Sequence, residues 1–195
     1  MVVVRVVAVA LRVVGKFMSK DIMIRPATAE DALCIGVLGM QVFLDTYATE
    51  GIRSSIANEA LQAFAPQAIT HLLAEPGIAL LVAECNQHLV GFAQVKLETP
   101  HAMIKAANVA ELQRLYIQER FTGLGIGYRL LQAAEQRAAL EGAALLWATV
   151  WDGNERALAF YPRLGYALLG APTYTFQGET HGNRLFGKAL GLTPA

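Results

Sequence analysis

Eight residues, Arg120-Phe121-Thr122-Gly123-Leu124-Gly125-Ile126-Gly127, constrain this chain more than any others. They stand between a stretch that reads as a strand, Val109 to Ile117, and one that reads as a helix, from about Gly125 to Leu140. In the helix, Ile126, Leu130, Ala134 and Ala138 recur every four residues. Glycines at such a junction let the backbone approach a ligand closely. The first amides of the helix have no intrahelical acceptor and point outward in a positive field. The segment is suited to cradling a diphosphate.

Several readings of the turn compete. A P-loop requires Gly-Lys-Ser/Thr after the turn, and Tyr128 and Arg129 do not supply it. A dinucleotide fingerprint requires G-x-G-x-x-G, whereas this chain has G-x-G-x-G, with Glu141 and Asp152 as the only acids near the usual distance. A coenzyme A pyrophosphate site, Arg/Gln-x-x-Gly-x-Gly/Ala, is met by Arg120, Gly123 and Gly125. A tight strand–helix turn without any ligand is the fourth reading.

The remaining segments predict a mixed α/β domain. Ile22 to Pro26 reads as a first strand, followed by a helix that Thr28 caps and in which Leu33, Val37 and Met40 step toward Phe43 and Leu44. Ser55 to Phe64 and Pro66 to Leu73 read as helices. Ile78 to Glu84 and Leu89 to Leu97 form a hairpin about Asn86-Gln87-His88. Beyond the glycine turn and its helix come a strand, Ala144 to Trp151, and a helix, Asn154 to Leu164, in which Pro162 should impose a kink just after Tyr161. Tyr166 to Leu169 and Leu185 to Leu190 close the chain as strands separated by a polar loop. One domain over 21–195 accounts for the length, and residues 1–20, basic and Val-rich, read as an N-terminal extension outside it.

Composition excludes several classes. With 54% hydrophobic residues and 16% charged, against roughly 25% charged in typical soluble proteins, the chain is not disordered. Its 16 Lys+Arg balance 16 Asp+Glu, which disfavours a nucleic-acid partner held by bulk charge. No apolar run is long enough to span a membrane; Ala32 to Leu44 is interrupted by Gly36, Gly39 and Gln41. Cys34 and Cys85 are too few for a disulfide framework and too isolated for a metal site, so both are expected to fill core space in a reducing, cytoplasmic setting, with no metal.

About 27 residues past Gly127 comes Asn154-Glu155-Arg156-Ala157-Leu158-Ala159-Phe160-Tyr161-Pro162-Arg163-Leu164-Gly165-Tyr166. Together with the glycine turn and the opening Ile24-Arg25-Pro26-Ala27-Thr28, this resembles the GNAT superfamily of acyl-CoA-dependent N-acetyltransferases, over residues 22 to 190. The resemblance implies a mostly antiparallel sheet splayed between the Val109–Ile117 and Ala144–Trp151 strands, with helices on its flanks. It implies acetyl-CoA as co-substrate and transfer of its acetyl group to a primary amine. Tyr161 matches the family's tyrosine acid, and Glu111 lies where many members carry a glutamate base. Strand alternation puts Glu111, Gln113, Leu115 and Ile117 on one face.

The resemblance further implies that an N–H near Leu115 or Tyr116 meets the oxyanion and that Ile117 pairs with the pantetheine arm. The backbone of Gly123, Leu124, Gly125, Ile126 and Gly127 would hold the diphosphate with Arg120, and Asn154 would hold the arm or the diphosphate. Relatives often carry a basic residue at the positions of Thr122 and Leu124. Neither is basic here, which leaves phosphate binding to the amides, Arg120, Arg129 and Arg163. Glu111-Leu-Gln-Arg-Leu-Tyr-Ile, Phe43-Leu44-Asp45-Thr46-Tyr47 and the tail Phe176-Gln177-Gly178-Glu179 resemble bacterial spermidine/spermine acetyltransferases, for which Asp45, Glu50, Glu98 and Glu179 are available carboxylates. Asn183 stands where those relatives tend to carry Asp. The implied partner is a small-molecule amine, a polyamine first, then an amino-group antibiotic or a peptide N-terminus. A non-catalytic acyl-CoA sensor is the reading from another class, and an apolar surface strand could pair two copies as a homodimer.

Overall fold

A computed structural model describes residues 22–176 and 179–191; the N-terminal extension lies outside them. Strand β1 (Ile22–Pro26) leads into α1 (Ala32–Tyr47), α2 (Ser54–Ala63) and α3 (Pro66–Ala74). Strands β2 (Ile78–Cys85), β3 (His88–Lys96) and β4 (Val109–Ile117) follow, then α4 (Ile126–Leu140), β5 (Leu145–Trp151) and α5 (Glu155–Arg163). The chain closes with β6 (Ala167–Gly170), β7 (Thr173–Phe176) and β8 (Glu179–Ala189). Among the described residues the sheet order is β1-β2-β3-β4-β5-β8-β6, with β7 paired to β8, and every pairing except β4 with β5 is antiparallel. The expected splay is present. β4 and β5 pair only at Val109↔Leu145, Ala110↔Leu146 and Glu111↔Trp147, and then part.

The central strands are apolar on both faces because both are covered. In β2, Ala79, Leu81, Ala83 and Cys85 face the core shared with α4, including Ile126, Leu130, Leu131 and Ala134. Leu80 and Val82 face the opposite core, where Ile35, Leu38, Phe64 and Ile69 come from α1, α3 and the segment between α2 and α3. Burying each such Leu or Ile stabilises the fold by about 2 kcal/mol. The β2–β3 turn bends at Asn86 and Gln87, which have φ of 48° and 65°, the double positive φ that suits a two-residue hairpin.

Three expectations change. The buried face of α1 is Ala32, Ile35, Gly36, Leu38 and Gly39, while Leu33 and Val37 are exposed. The reason is Phe64. A Cβ on Gly36 would lie 2.5 Å from the Phe64 carbonyl oxygen, and one on Gly39 2.4 Å from its ring, so α1 turns its small residues inward to admit that ring. Cys85 is buried as expected, but Cys34, on the same exposed side of α1 as Leu33 and Val37, is exposed. The polar stretch after β6 is not a loop; β7 pairs with the start of β8, which runs from Glu179 rather than Leu185. Pro162 lies in the last turn of α5, one residue before its end, and supplies no N–H to the Leu158 carbonyl; Gly165 at φ 84° stops the helix just beyond it.

The entry to α1 is pinned by charge. Arg25 on β1 donates to both Asp31 oxygens, at 2.7 and 2.9 Å, and to Glu84 on β2 at 2.9 Å, while the Thr28 N–H also donates to Asp31 at 2.8 Å. The Arg25 hydrogen bonds outweigh burial and lower the Asp31 carboxyl to about 2 from its ordinary 3.8. That difference corresponds to about 2 kcal/mol. A carboxylate with a lowered folded-state pKa stabilises above the unfolded value and loses that contribution as pH falls through the folded one. Asp31→Asn is therefore expected to lower unfolding free energy by about 2 kcal/mol at pH 7 in urea titrations. The gap to wild type should close as pH falls from 4 to about 2.

Candidate active site

The glycine turn has the geometry its sequence predicts. Gly123 and Gly125 both adopt φ 77°, and Gly125 is the N-cap of α4. A left-handed residue at that cap turns the chain sharply from the short helical turn Glu119–Phe121 into the helix. A Cβ on Gly123 or Gly125 would meet nothing within 4 Å, so the outer surface of the turn is open to a ligand above the first amides of α4. Arg120 and Leu124 are exposed beside it, whereas the Ile126 side chain is buried, leaving its backbone to face the turn. Arg156, on α5, forms a two-pronged ion pair with Glu119 at 2.6 and 2.9 Å and ties the turn to that helix.

Strand β4 carries the rest of the candidate groove. The Gln118 N–H donates to the Val90 carbonyl at 3.0 Å, which makes 90 and 118 a hydrogen-bonded antiparallel pair. Such pairs alternate, and Phe92↔Tyr116 is the next of the same kind. The backbone groups of Leu115 and Ile117 therefore point away from β3, toward the gap where β5 has departed. Of the two oxyanion donors considered, Leu115 has an N–H in the gap, and the Tyr116 N–H is turned toward β3. Asn154 caps α5, its Oδ1 accepting from the Ala157 N–H at 3.1 Å, which leaves its amide Nδ2 for other contacts.

Register fails to place Glu111, Gln113, Leu115 and Ile117 on one face. Gln94 pairs with Arg114 but Val95 with Leu112, so Gln113 is an extra, bulged residue. Leu112, Leu115 and Ile117 consequently all pack toward the α4 core. Glu111 instead ends a hydrogen-bonded chain. The Arg114 guanidinium donates to Gln94 Oε1, Gln94 Nε2 donates to Gln113 Oε1 at 2.7 Å, and Gln113 Nε2 donates to Glu111 Oε2 at 3.1 Å. Every amide in this series is oriented from cation to anion. Burial raises the Glu111 carboxyl, and the Gln113 hydrogen bond, Lys96 and His101 offset part of that rise.

Tyr161 is buried among aromatic rings, 5.3 Å from Tyr166 and stacked 5.6 Å from Phe186 between centroids. Burial, and secondarily the Tyr47 hydroxyl, push its own hydroxyl pKa well up, so it stays protonated. Tyr47 and Tyr116 are raised by burial as well. Tyr47 belongs to a cleft of about 350 Å³ at the mouth of the strand gap. Beyond the last β4–β5 pair, β4 contributes Arg114 and Tyr116 to this cleft and β5 contributes Thr149 and Trp151; Phe43 and Phe64 close the side beneath α1 and α2. Neither Glu111 nor Tyr161 lines it directly. Arg114 does, and it was quoted in the sequence without a role. A charge in the middle of the Leu112 to Ile117 strand segment was the available signal.

Known proteins fit this geometry. The model for the acetyltransferase (GNAT) family matches residues 44–166. An uncharacterised N-acetyltransferase from Lactobacillus delbrueckii subsp. lactis is 21% identical over 153 residues, covering 78% of this chain and 88% of that one. The PaiA N-acetyltransferase of Thermoplasma acidophilum, solved in complex with coenzyme A, superposes with a TM-score of 0.70 at 23% identity over 86% of this chain and 98% of its own. An acetyltransferase of Salmonella typhimurium, solved with acetyl-CoA, gives 0.63 at 20% identity over 90% and 97%. At these identities the two structures establish a shared fold.

The amide series has a measurable consequence. Gln94 is 2% exposed, and Gln94→Leu would leave one N–H of the half-buried Arg114 without its partner. The expected loss is about 1–3 kcal/mol in urea unfolding. Gln94→Glu, which keeps an acceptor for Arg114, should recover part of it.

Proposed function

Since the chain belongs to the acetyltransferase (GNAT) family, we propose that this N-acetyltransferase uses acetyl-CoA to acetylate a primary amine of a small molecule by direct attack in a ternary complex. The observation that carries the reading is the conjunction of an open, left-handed glycine cap on α4 with a β4 edge left unpaired beyond Glu111. The amides of Gly123 to Gly127, with Arg120, suit a diphosphate. The Leu115 and Ile117 backbone suits an extended arm lying in the gap like an added strand, with the Asn154 amide beside it. Acetyl-CoA supplies the activated acyl group; the protein supplies alignment and proton management.

An alkylammonium, with a pKa of about 10.4, must lose a proton before it can attack. Glu111, raised by burial and set at the vertex of the strand gap, is the acceptor for that proton through intervening water. The Leu115 N–H faces the gap, as an oxyanion donor requires. Tyr161, held protonated, donates its hydrogen bond to the departing sulfur.

Polyamines, suggested by the likeness of Phe43-Leu44-Asp45-Thr46-Tyr47 and its companions, remain a proposed acceptor class. Of the carboxylates named for them, Asp45, Glu50 and Glu98 do not line the cleft, although Glu59 does. Gln177 and Gly178, and the side chains of Phe176 and Glu179, lie outside the described residues.

A thiol-release assay with acetyl-CoA across polyamines, aminoglycosides, amino acids and peptides tests the activity. Coenzyme A binding without release from any amine would replace the enzyme by a sensor. Tyr161→Phe should lower kcat roughly 10- to 100-fold while leaving the coenzyme A Kd within about twofold. An unchanged kcat removes Tyr161 from the chemistry. Gly125→Asp, which forces a side chain into φ 77° and sets a negative charge at the diphosphate, should abolish coenzyme A binding by calorimetry. With Glu111 as base, kcat/KM should rise with pH through a Glu111 pKa above the ordinary carboxylate range, and Glu111→Gln should flatten that limb.

A further inference from the structure

Arg114 is a cation of the cleft that acetyl transfer does not use; Arg53, Glu59 and His181 also line it. It precedes Leu115 on β4, its guanidinium lies 5.0 Å from the Phe64 ring centroid, and it is partly buried. Among the described residues no carboxylate pairs with it directly; Glu111 is reached only through the two amides of Gln94 and Gln113. A guanidinium has five N–H donors, and here Gln94 takes one while the Tyr116 hydroxyl lies against the group. Gln94 cannot turn away, because its own amide nitrogen is committed to Gln113. The cation is therefore held in position at a cleft wall without a counter-ion of its own. Partly desolvated cations are stabilised by an anion that can accept two parallel hydrogen bonds, and a carboxylate matches the arginine fork.

We propose that Arg114 selects an acceptor that carries a carboxylate as well as its amine, on an apolar or aromatic body that packs against Phe43, Phe64 and Trp151. The carboxylate docks on Arg114, and the amine lies toward the gap beside Leu115. A polycation would set an ammonium against Arg114 and lose that bond. This assignment rests on the acetyl-transfer reading for the fate of the amine, but not for binding.

The test measures binding and turnover separately. With coenzyme A present, leucine and phenylalanine are titrated by calorimetry against isoamylamine and phenethylamine, the same molecules without the carboxylate, and against spermidine. The acids should bind roughly 10-fold or more tightly than either comparison group. Arg114→Gln should bring that ratio close to one, and Arg114→Lys should retain part of it, with coenzyme A affinity as the check on folding. Should Arg114→Gln fail to fold, the wild-type ratio and Arg114→Lys still decide. Equal or tighter binding of the amines lacking a carboxylate, or no binding of either acid, overturns the proposal. Acids that bind while none of the five compounds releases thiol from acetyl-CoA would overturn acetyl transfer and leave the Arg114 assignment standing. Thiol release with spermidine or phenethylamine alone would do the reverse.

Discussion

The structure depends on where β4 and β5 stop pairing. Parallel neighbours normally continue their ladder for the length of both strands, since an unpaired N–H or C=O within a fold is costly. Here three residue pairs suffice, and then the strands separate. The separation persists because each strand has another partner on its far side, β3 for β4 and β8 for β5, so neither becomes a free edge. The gap between them is a slot of backbone donors and acceptors at the centre of the sheet, with the glycine turn at the end of one wall and the cleft at its mouth. A ligand that enters can complete the interrupted ladder.

A second constraint governs proton positions around that slot. Burial pushes the Tyr47, Tyr116 and Tyr161 hydroxyls further above their ordinary pKa, while Arg114 and Glu111 are joined through two amides rather than directly. A direct ion pair would quench both groups. A spaced one keeps each in place while leaving the guanidinium able to meet a ligand and the carboxylate able to take a proton. The β-bulge at Gln113 makes the arrangement possible, because it lets that side chain turn to Gln94 and Glu111 while Leu115 and Ile117 rejoin the core.

Legibility in the sequence followed the range of the interactions involved. The glycine turn, the Asn86-Gln87 hairpin and the bounds of β1 and β4 rest on local backbone preferences, and each was readable from adjacent residues. The buried face of α1 was not, because Leu33 and Val37 look more apolar than Gly36 and Gly39, and only the distant Phe64 ring decides which side is inward. The bulge at Gln113 was equally hidden, since alternation carries no mark of an inserted residue. Tyr161 and Asn154 became candidates through motif spacing. Arg114 acquires its meaning only when Gln94, twenty positions earlier, is brought against it.

The seam between α1 and Phe64 reverses a common engineering rule. Replacing a mid-helix glycine by alanine ordinarily gains about 1 kcal/mol, because the unfolded chain loses freedom and the helix gains a better former. Gly36 and Gly39 would be obvious targets for such thermostabilisation on helix content alone. Here a methyl group at either site would push the Phe64 ring or its carbonyl outward, and Phe64 is also the surface on which Arg114 rests and a wall of the cleft. A stabilised helix would thus come at the expense of the pocket, which ties the permissible composition of α1 to ligand recognition on a different layer of the molecule.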